Sequence, residues 1–383
     1  MHVVQLLAGT GQGGADRVAI ALGRGLQAAG HRVTFGVAPY FLQNRPGVAG
    51  EHACWEIPRF RGLPWRSLRE FNRKAAGADL VVTHDSGARH FAIQAKLTGL
   101  RPPVWFYRHC ISGTTRLGGV QLHRLVTRHH IAVSDIIARS LVDSGYPRRQ
   151  VTRIHGAIDL TPFLEPRRDR VEALRASLLA GVPAGTVVVG MVGRLHLGKE
   201  WRPDVPDFKG YDVLFRALSG VRFPWRLLAL GPGTEPEFEA VRQIARHQGA
   251  DPSRILFAGF VEEPSAHVAL MDLNVLPSRN EGLGLTVIES MAAGVPTLGS
   301  RSGGIQEIIE DGTSGLLFGE GNAEALREAL ERVVASPDLR RTLSQRGQVR
   351  ARTVFDAPVM VSAFEALMRR ELGGRSWELR GEG

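Results

Sequence analysis

The runs VVQLLA, HRVTFGVA, DLVVTH, PVWFY and HHIAVS punctuate the first half of the chain, with helical patterns such as ADRVAIALGRGLQAAG between them. The second half repeats the rhythm in TVVVGMVGRL, WRLLALG, RILFAGF, LNVLPS and VPTLGS. Short apolar strands alternating with helices form parallel sheets, because each crossover lays a helix on a sheet face. Two such series predict an α/β chain of two Rossmann-like domains, and 383 residues suit that division better than one core. The expected boundaries are 1–162, a linker at 163–185 holding a short helix between Pro- and Gly-containing hinges, and 186–357. The final helical pattern, PVMVSAFEALMRREL at 358–372, lies outside the second series and is expected to pack back onto the first domain.

Two cysteines, Cys54 and Cys110, are too few for a disulfide framework and favour a reducing compartment. The opening MHVVQLLAGTGQGG lacks the basic n-region of a signal peptide, and no apolar run approaches the roughly 20 residues that span a bilayer. A cytoplasmic protein is expected. The net charge of +10 is uneven: residues 1–180 hold 25 Lys+Arg against 12 Asp+Glu, or +13, leaving 23 against 26, or −3, for the rest. Such a basic half fits either a solvated Arg-rich surface or an anionic partner, a membrane or a phosphorylated acceptor. The segment CWEIPRFRGLPWRSLREFNRK, 54–74, interleaves Arg59, Arg61, Arg66 and Arg69 with Trp55, Phe60, Trp65 and Phe71. That mixture predicts docking on an anionic membrane surface.

In parallel sheets, ligands lie beyond the carboxyl ends of the strands, so the strand-to-helix turns are the places to search. GTGQGG at 9–14 has the G-x-G-x-x-G spacing of a dinucleotide site, but about twenty residues on, after FGVAPYFLQ, where an acid should hold a ribose hydroxyl, there is no carboxylate until Glu51, which argues against a nicotinamide cofactor. Gly11, Gly13 and Gly14 would still let backbone amides approach a phosphate or sugar. The second turn, NEGLGLTVIESMAAGVPTLGSRSGG at 280–304, places Glu281 in a loop and Glu289 inside a helix starting near Gly284. Free amides from Gly282 to Leu285 would favour an anion such as a diphosphate. The two carboxylates suit sugar hydroxyls. Arg194 and Lys209 supply cations, and no Asp-x-Asp or zinc-type spacing implies a metal.

The segments VGRL…KGYDVL, FAGFV, LPSRNEGLGLTVIESMAAGVPTLGSRSGGIQEII and DGTSGLLF resemble the C-terminal domain of glycosyltransferase family four, the retaining nucleotide-sugar enzymes of GT-B fold. GQGGADRVAIALGRGLQAAGHRVTF, His109 and AVSDIIARSLVDSGYPRRQVTRIHGAIDL resemble that family's N-terminal domain. The resemblance implies two domains facing across a cleft, the donor held mainly by the second and the acceptor by the first. It also implies roles: Glu289 on the ribose, Glu281 on the transferred sugar, and the amides of Gly284 and Leu285 on phosphates or sugar. Arg194 and Lys209 would neutralise the leaving diphosphate, His109 would lie near the transferred sugar, and Gly13 and Gly14 would face the donor. The insertion HLGKEWRPDVPDF leaves Lys199 competing with Lys209 by spacing.

The expected reaction is metal-independent transfer with retention, from a UDP- or GDP-sugar to a glycan or lipid-linked acceptor of lipopolysaccharide or surface-polysaccharide synthesis, at the inner face of the plasma membrane. Asp85, ending LVVTHD, is a candidate to orient an acceptor hydroxyl. Two alternatives stand: a catalytically silent sugar-nucleotide or glycan binder, and a basic nucleic-acid binder, which would leave the C-terminal constellation without a role.

Overall fold

The structure is a computed structural model that describes residues 1–60, 62, 64–110, 123, 126–195 and 207–373. Arg61 and Lys199 lie outside the described residues. The chain divides into two compact units, Met1–Asp159 together with the chain from Phe355 onward, and Leu160–Val354.

The first unit carries a parallel sheet ordered β3-β2-β1-β4-β5-β6-β7. Its strands are β1 (His2–Leu7), β2 (Arg32–Val37), β3 (Ala53–Glu56), β4 (Leu80–Thr83), β5 (Val104–Arg108), β6 (Thr127–Ala132) and β7 (Val151–Arg153). Every residue of β4 and β5 is buried, as a sheet covered on both faces requires. The two edge strands β3 and β7 were not legible in the sequence. They are only four and three residues long and half-exposed, so neither shows an apolar run.

The helix Ala357–Leu372 belongs to this first unit. Its Phe364 packs 5.7 Å from the Trp105 ring, and Glu365 accepts from His31 Nε2 at 3.0 Å. Gly25 lets the helix Gly14–Ala28 come close, since a Cβ there would stand 2.2 Å from Val361 Cγ2.

The second unit repeats the pattern as β10-β9-β8-β11-β12-β13, again wholly parallel. Its strands are β8 (Val187–Val192), β9 (Trp225–Leu230), β10 (Ile255–Gly259), β11 (Leu273–Leu276), β12 (Thr297–Ser300) and β13 (Leu316–Phe318). The segment read as a linker, 163–185, is instead part of this unit. Its helix Arg168–Leu178 packs on the short helix Ser265–Val268, and Thr161–Leu164 packs on Leu285–Ala292. Hinge-like prolines and glycines at its ends do not reveal these contacts, which are made with residues about 100 positions later.

The aromatic-basic segment also reads differently in three dimensions. Phe60 and Phe71 are core residues, with rings 5.1 and 5.4 Å from Phe91, and Trp55 packs half-buried against Phe71. Only Trp65, 63% exposed at the start of helix Trp65–Lys74, faces solvent, beside exposed Arg66 and Arg69. Three of the four aromatics are therefore structural. Among the described residues no helix is long and apolar enough to cross a membrane.

Candidate active site

Both sheets run 3-2-1-4 outward from their first strand, which puts a topological switch point between β1 and β4 and another between β8 and β11. Crevices at the carboxyl ends of such strands are where open α/β sheets hold ligands. The sequence-predicted residues gather at these two places.

In the second unit, β8 leads into Gly193 and the exposed Arg194. Lys209 precedes the helix Tyr211–Ser219, whose N-cap is Gly210 at φ +79. A side chain at Gly210 would place its Cβ 2.3 Å from the Pro277 carbonyl oxygen, so only glycine lets the two turns approach. Lys209 Nζ then lies 3.0 Å from Glu281 Oε2, with the two side chains 17% and 20% exposed. The lysine also passes the end of β8, its Nζ 3.6 Å from where a Gly193 Cβ would stand. Glu281 is held from behind: its carbonyl accepts from Gly304 N at 2.8 Å, and Asn280 N donates to Ser302 Oγ at 2.7 Å. Gly303, at φ +53, fits only because it lacks a Cβ, which would clash with the Glu281 carbonyl oxygen at 1.9 Å.

The helix Leu285–Ala292 begins after Gly284, which caps it at φ +101. Its first amides, at Leu285 and beyond, form the anion-favouring terminus the sequence predicts. Glu289, expected to meet a ribose, is 0% exposed, so that contact requires its carboxylate to be uncovered.

Sequence reasoning missed the base of this site. Arg279 donates to both oxygens of Asp212 at 2.9 Å, and Asp207 Oδ2 accepts from Asp212 N at 3.0 Å. Burial pushes the Asp207 carboxyl up to about 6, while Asp212, bonded to Arg279, is held below the ordinary carboxylate range. The network braces both flanks of the Lys209–Glu281 pair. Its signal was faint, since Arg279 and Asp212 stand 67 positions apart.

In the first unit, the loop after β1 is pinned from outside. Asn44 Nδ2 donates to Thr10 O and Arg45 Nε to Gly11 O, each at 2.8 Å. Gly13 caps the helix Gly14–Ala28, but its N–H already donates to Asp16 Oδ2 at 3.0 Å. Gly13 is thus not a spare phosphate donor, contrary to the sequence expectation; its smallness accommodates Asp16, whose carboxylate burial drives upward in pKa. Asp85 is likewise occupied. It caps the helix Ser86–Leu97 through Ala88 N at 2.9 Å and accepts from Ala8 N at 2.7 Å, so the structure gives it a capping role rather than an acceptor site.

His109, one residue past β5, lies beside this loop edge. Its Nε2 is 3.1 Å from His84 Nδ1, and His84 Nε2 is 2.8 Å from Gln5 Oε1. With Gln5 presenting its oxygen, His84 carries its proton on Nε2 and accepts from His109 Nε2–H. Desolvation lowers both rings, His109 to about 3, so the imidazole is neutral and keeps a lone pair on Nδ1. Among the described residues no group of three His, Cys, Asp or Glu side chains could hold a metal ion.

Two Rossmann-type parallel sheets, each with a switch point beside its first strand, define the GT-B class of fold. HepE of Anabaena, solved with UDP and glucose, matches at a TM-score of 0.82 and 19% identity, covering 97% of this chain and 100% of that one. WaaG, a glycosyltransferase involved in lipopolysaccharide biosynthesis, matches at 0.66 and 18%, covering 95% and 99%. Residues 12–162 match the Glycosyltransferase Family 4 model, and 186–336 match that of Glycosyl transferases group 1. The chain belongs to the group 1 glycosyltransferases of family four.

Among curated relatives, the lipopolysaccharide core biosynthesis glycosyltransferase LpsE of Rhizobium meliloti is 32% identical over 187 residues, 49% of this chain and 51% of that protein. N-acetyl-alpha-D-glucosaminyl L-malate synthase of Bacillus anthracis is 31% identical over 142 residues, 37% of this chain and 36% of that protein. These alignments span about half or less of the relatives' length.

Proposed function

We propose that the protein transfers a sugar from a UDP- or GDP-sugar to a glycan or lipid-linked acceptor, with retention of anomeric configuration and without a metal ion. The observation that carries this reading is the Lys209–Glu281 pair at 3.0 Å, set at the β8/β11 switch point next to Arg194 and the start of helix Leu285–Ala292. The lysine, the arginine and the helix terminus offset charge that develops on a leaving diphosphate, preorganised stabilisation of the kind worth about 100- to 1000-fold per contact. Glu281 accepts hydrogen bonds from hydroxyls of the transferred sugar, and Glu289 takes the ribose once uncovered.

The bond from the anomeric carbon to the diphosphate oxygen breaks as the acceptor oxygen bonds to the same face, and the acceptor proton passes to the departing phosphate. His109, neutral, hydrogen-bonds the transferred sugar. A UDP donor is favoured because HepE was solved with UDP and UDP-glucose, and a lipopolysaccharide-type acceptor because LpsE acts in lipopolysaccharide core biosynthesis. A cytoplasmic enzyme docking on an anionic inner membrane face through Trp65, Arg66 and Arg69 would meet such an acceptor.

The test is a panel of sugar nucleotides incubated with the protein, read for slow donor hydrolysis and for thermal stabilisation by each nucleoside diphosphate. One donor should be hydrolysed, and its diphosphate should raise Tm. Binding without hydrolysis, and without transfer to any glycan offered, would leave a silent sugar-nucleotide binder.

A further inference from the structure

At the amino ends of the strands in the second unit lies a cavity of about 470 Å³ that opens to solvent. Two neighbouring strands are tied together at its base. Asp272, one residue before β11, donates its backbone N–H to Val188 O at 2.8 Å, and its Oδ2 accepts from Val188 N at 2.8 Å. Leu179, Val182 and Pro183, on the stretch between helix Arg168–Leu178 and β8, supply apolar lining. Two cations line it as well: Arg175, in the last turn of that helix, and Arg340, near the start of helix Pro337–Val354.

Among the described residues neither guanidinium forms an ion pair or a hydrogen bond, whereas Arg341 and Arg350, on the same helix as Arg340, are paired with Asp338 and Glu310. Arg340 is half-buried and Arg175 exposed. The one other charged residue of the lining is Asp272, and its Oδ2 is engaged by Val188 N, so two cations stand against a single carboxylate. Small-molecule sites are commonly clefts of about 300–1,000 Å³ with apolar walls and a few charged groups, and this cavity has that size and make-up. It is also remote from the candidate active site. β8 is six residues long and runs from the cavity to Gly193 and Arg194, which separates the two edges by roughly 20 Å.

We propose that this cavity is a second ligand site, separate from the donor edge, that takes an organic phosphomonoester: Arg340 and Arg175 hold the phosphate, and Leu179, Val182 and Pro183 cover the organic body. A guanidinium presents a planar fork of donors that phosphate oxygens accept, and two of them match a dianion in charge better than they match a carboxylate. The apolar lining rewards an ester over inorganic phosphate, because only the ester removes that surface from water. The site does not depend on which sugar nucleotide, if any, the protein uses.

Isothermal titration of the full chain with phenyl phosphate, inorganic phosphate and benzoate, at matched ionic strength, tests the proposal. Phenyl phosphate should bind about tenfold more tightly than inorganic phosphate, through burial of its ring, and about tenfold more tightly than benzoate, which has the ring but one charge and no phosphate. Arg340→Gln should weaken phenyl phosphate about tenfold, and Arg340→Lys, which keeps the charge without the fork, should fall between. Arg175→Gln should weaken it less, because that side chain is exposed. Lys209→Ala, at the opposite edge of the sheet, should leave this binding unchanged. No binding of phenyl phosphate, or equal affinity in wild type and in the double variant of Arg175→Gln and Arg340→Gln with both folded by circular dichroism, would overturn the site. Binding lost in Lys209→Ala would put the anion at the donor edge instead. Benzoate binding as tightly as phenyl phosphate would overturn the phosphate assignment, and inorganic phosphate doing so would overturn the organic body.

Discussion

Lys209 Nζ and Glu281 Oε2 stand 3.0 Å apart although 72 positions separate them, and both belong to turns that follow neighbouring strands of one sheet. The pairing has a consequence for any anion bound beside them. Removing the lysine deletes one cation and also leaves a carboxylate facing the site.

Lys209→Ala should therefore lower turnover by about 100-fold or more. Glu281→Gln should impair use of the sugar nucleotide while the free nucleoside diphosphate still binds. Because the two side chains touch, the double variant should lose less than the product of the single losses. Steady-state kinetics on the four proteins measure this; strictly multiplicative losses would show that the pair does not act as a unit.

Gly210→Ala and Gly303→Ala should each destabilise the protein by at least ~1 kcal/mol, since both glycines adopt positive φ and face a carbonyl oxygen closer than contact. Each should also cut activity, the first by moving Lys209 and the second by moving Glu281. Urea denaturation with parallel kinetics checks both, and Gly312→Ala, also at positive φ but with open space around it, is the control for backbone strain alone.

Asp207 gives a pH signature. Its folded-state pKa, about 6, lies above the ordinary carboxylate value of 3.8 because the side chain is buried. A raised acid favours folding while protonated, so its contribution is full below about pH 4 and lost as pH rises through 6. Asp207→Asn mimics the protonated form. The stability of Asp207→Asn relative to wild type should thus increase between pH 4 and 7, as read from Tm at fixed ionic strength.

His130 works in the opposite direction. The ring is 0% exposed, neither nitrogen has a hydrogen-bond partner among the described residues, and desolvation lowers its pKa from 6.5 to about 3. A lowered histidine contributes stability above pH 6.5 and loses it as acidification protonates the unfolded chain first. Against His130→Leu, wild type should lose ground steadily from pH 7 to pH 4.

Membrane docking is tested by cosedimentation with phosphatidylglycerol-containing vesicles. Binding should fall with salt and on changing Arg59, Arg66 and Arg69 together to Ser, and also in Trp65→Ala, the one exposed aromatic of that segment. Phe60 and Phe71 are core residues and Trp55 packs half-buried against Phe71, so substituting them reports on folding instead.

The alternation of apolar strands with amphipathic helices was enough to determine two parallel sheets, and the glycine-bearing turns after β1 and β11 marked the switch-point edges where the candidate site residues fall. Those signals are local: a strand's burial on both faces and a helix's start and stop are written in adjacent residues. The same locality placed Glu281 in a turn and Glu289 in a helix. Which partners these acids meet is a different matter, decided by strand order. The 3-2-1-4 arrangement brings the end of β8 beside the end of β11, and only then do Lys209 and Glu281 pair and Arg279 bind Asp212. The linker's absorption into the second unit and the occupation of Gly13 by Asp16 and of Asp85 by two backbone amides are likewise products of packing. A charge or an amide in sequence is only a capacity for bonding; tertiary structure determines whether a neighbour has already filled it.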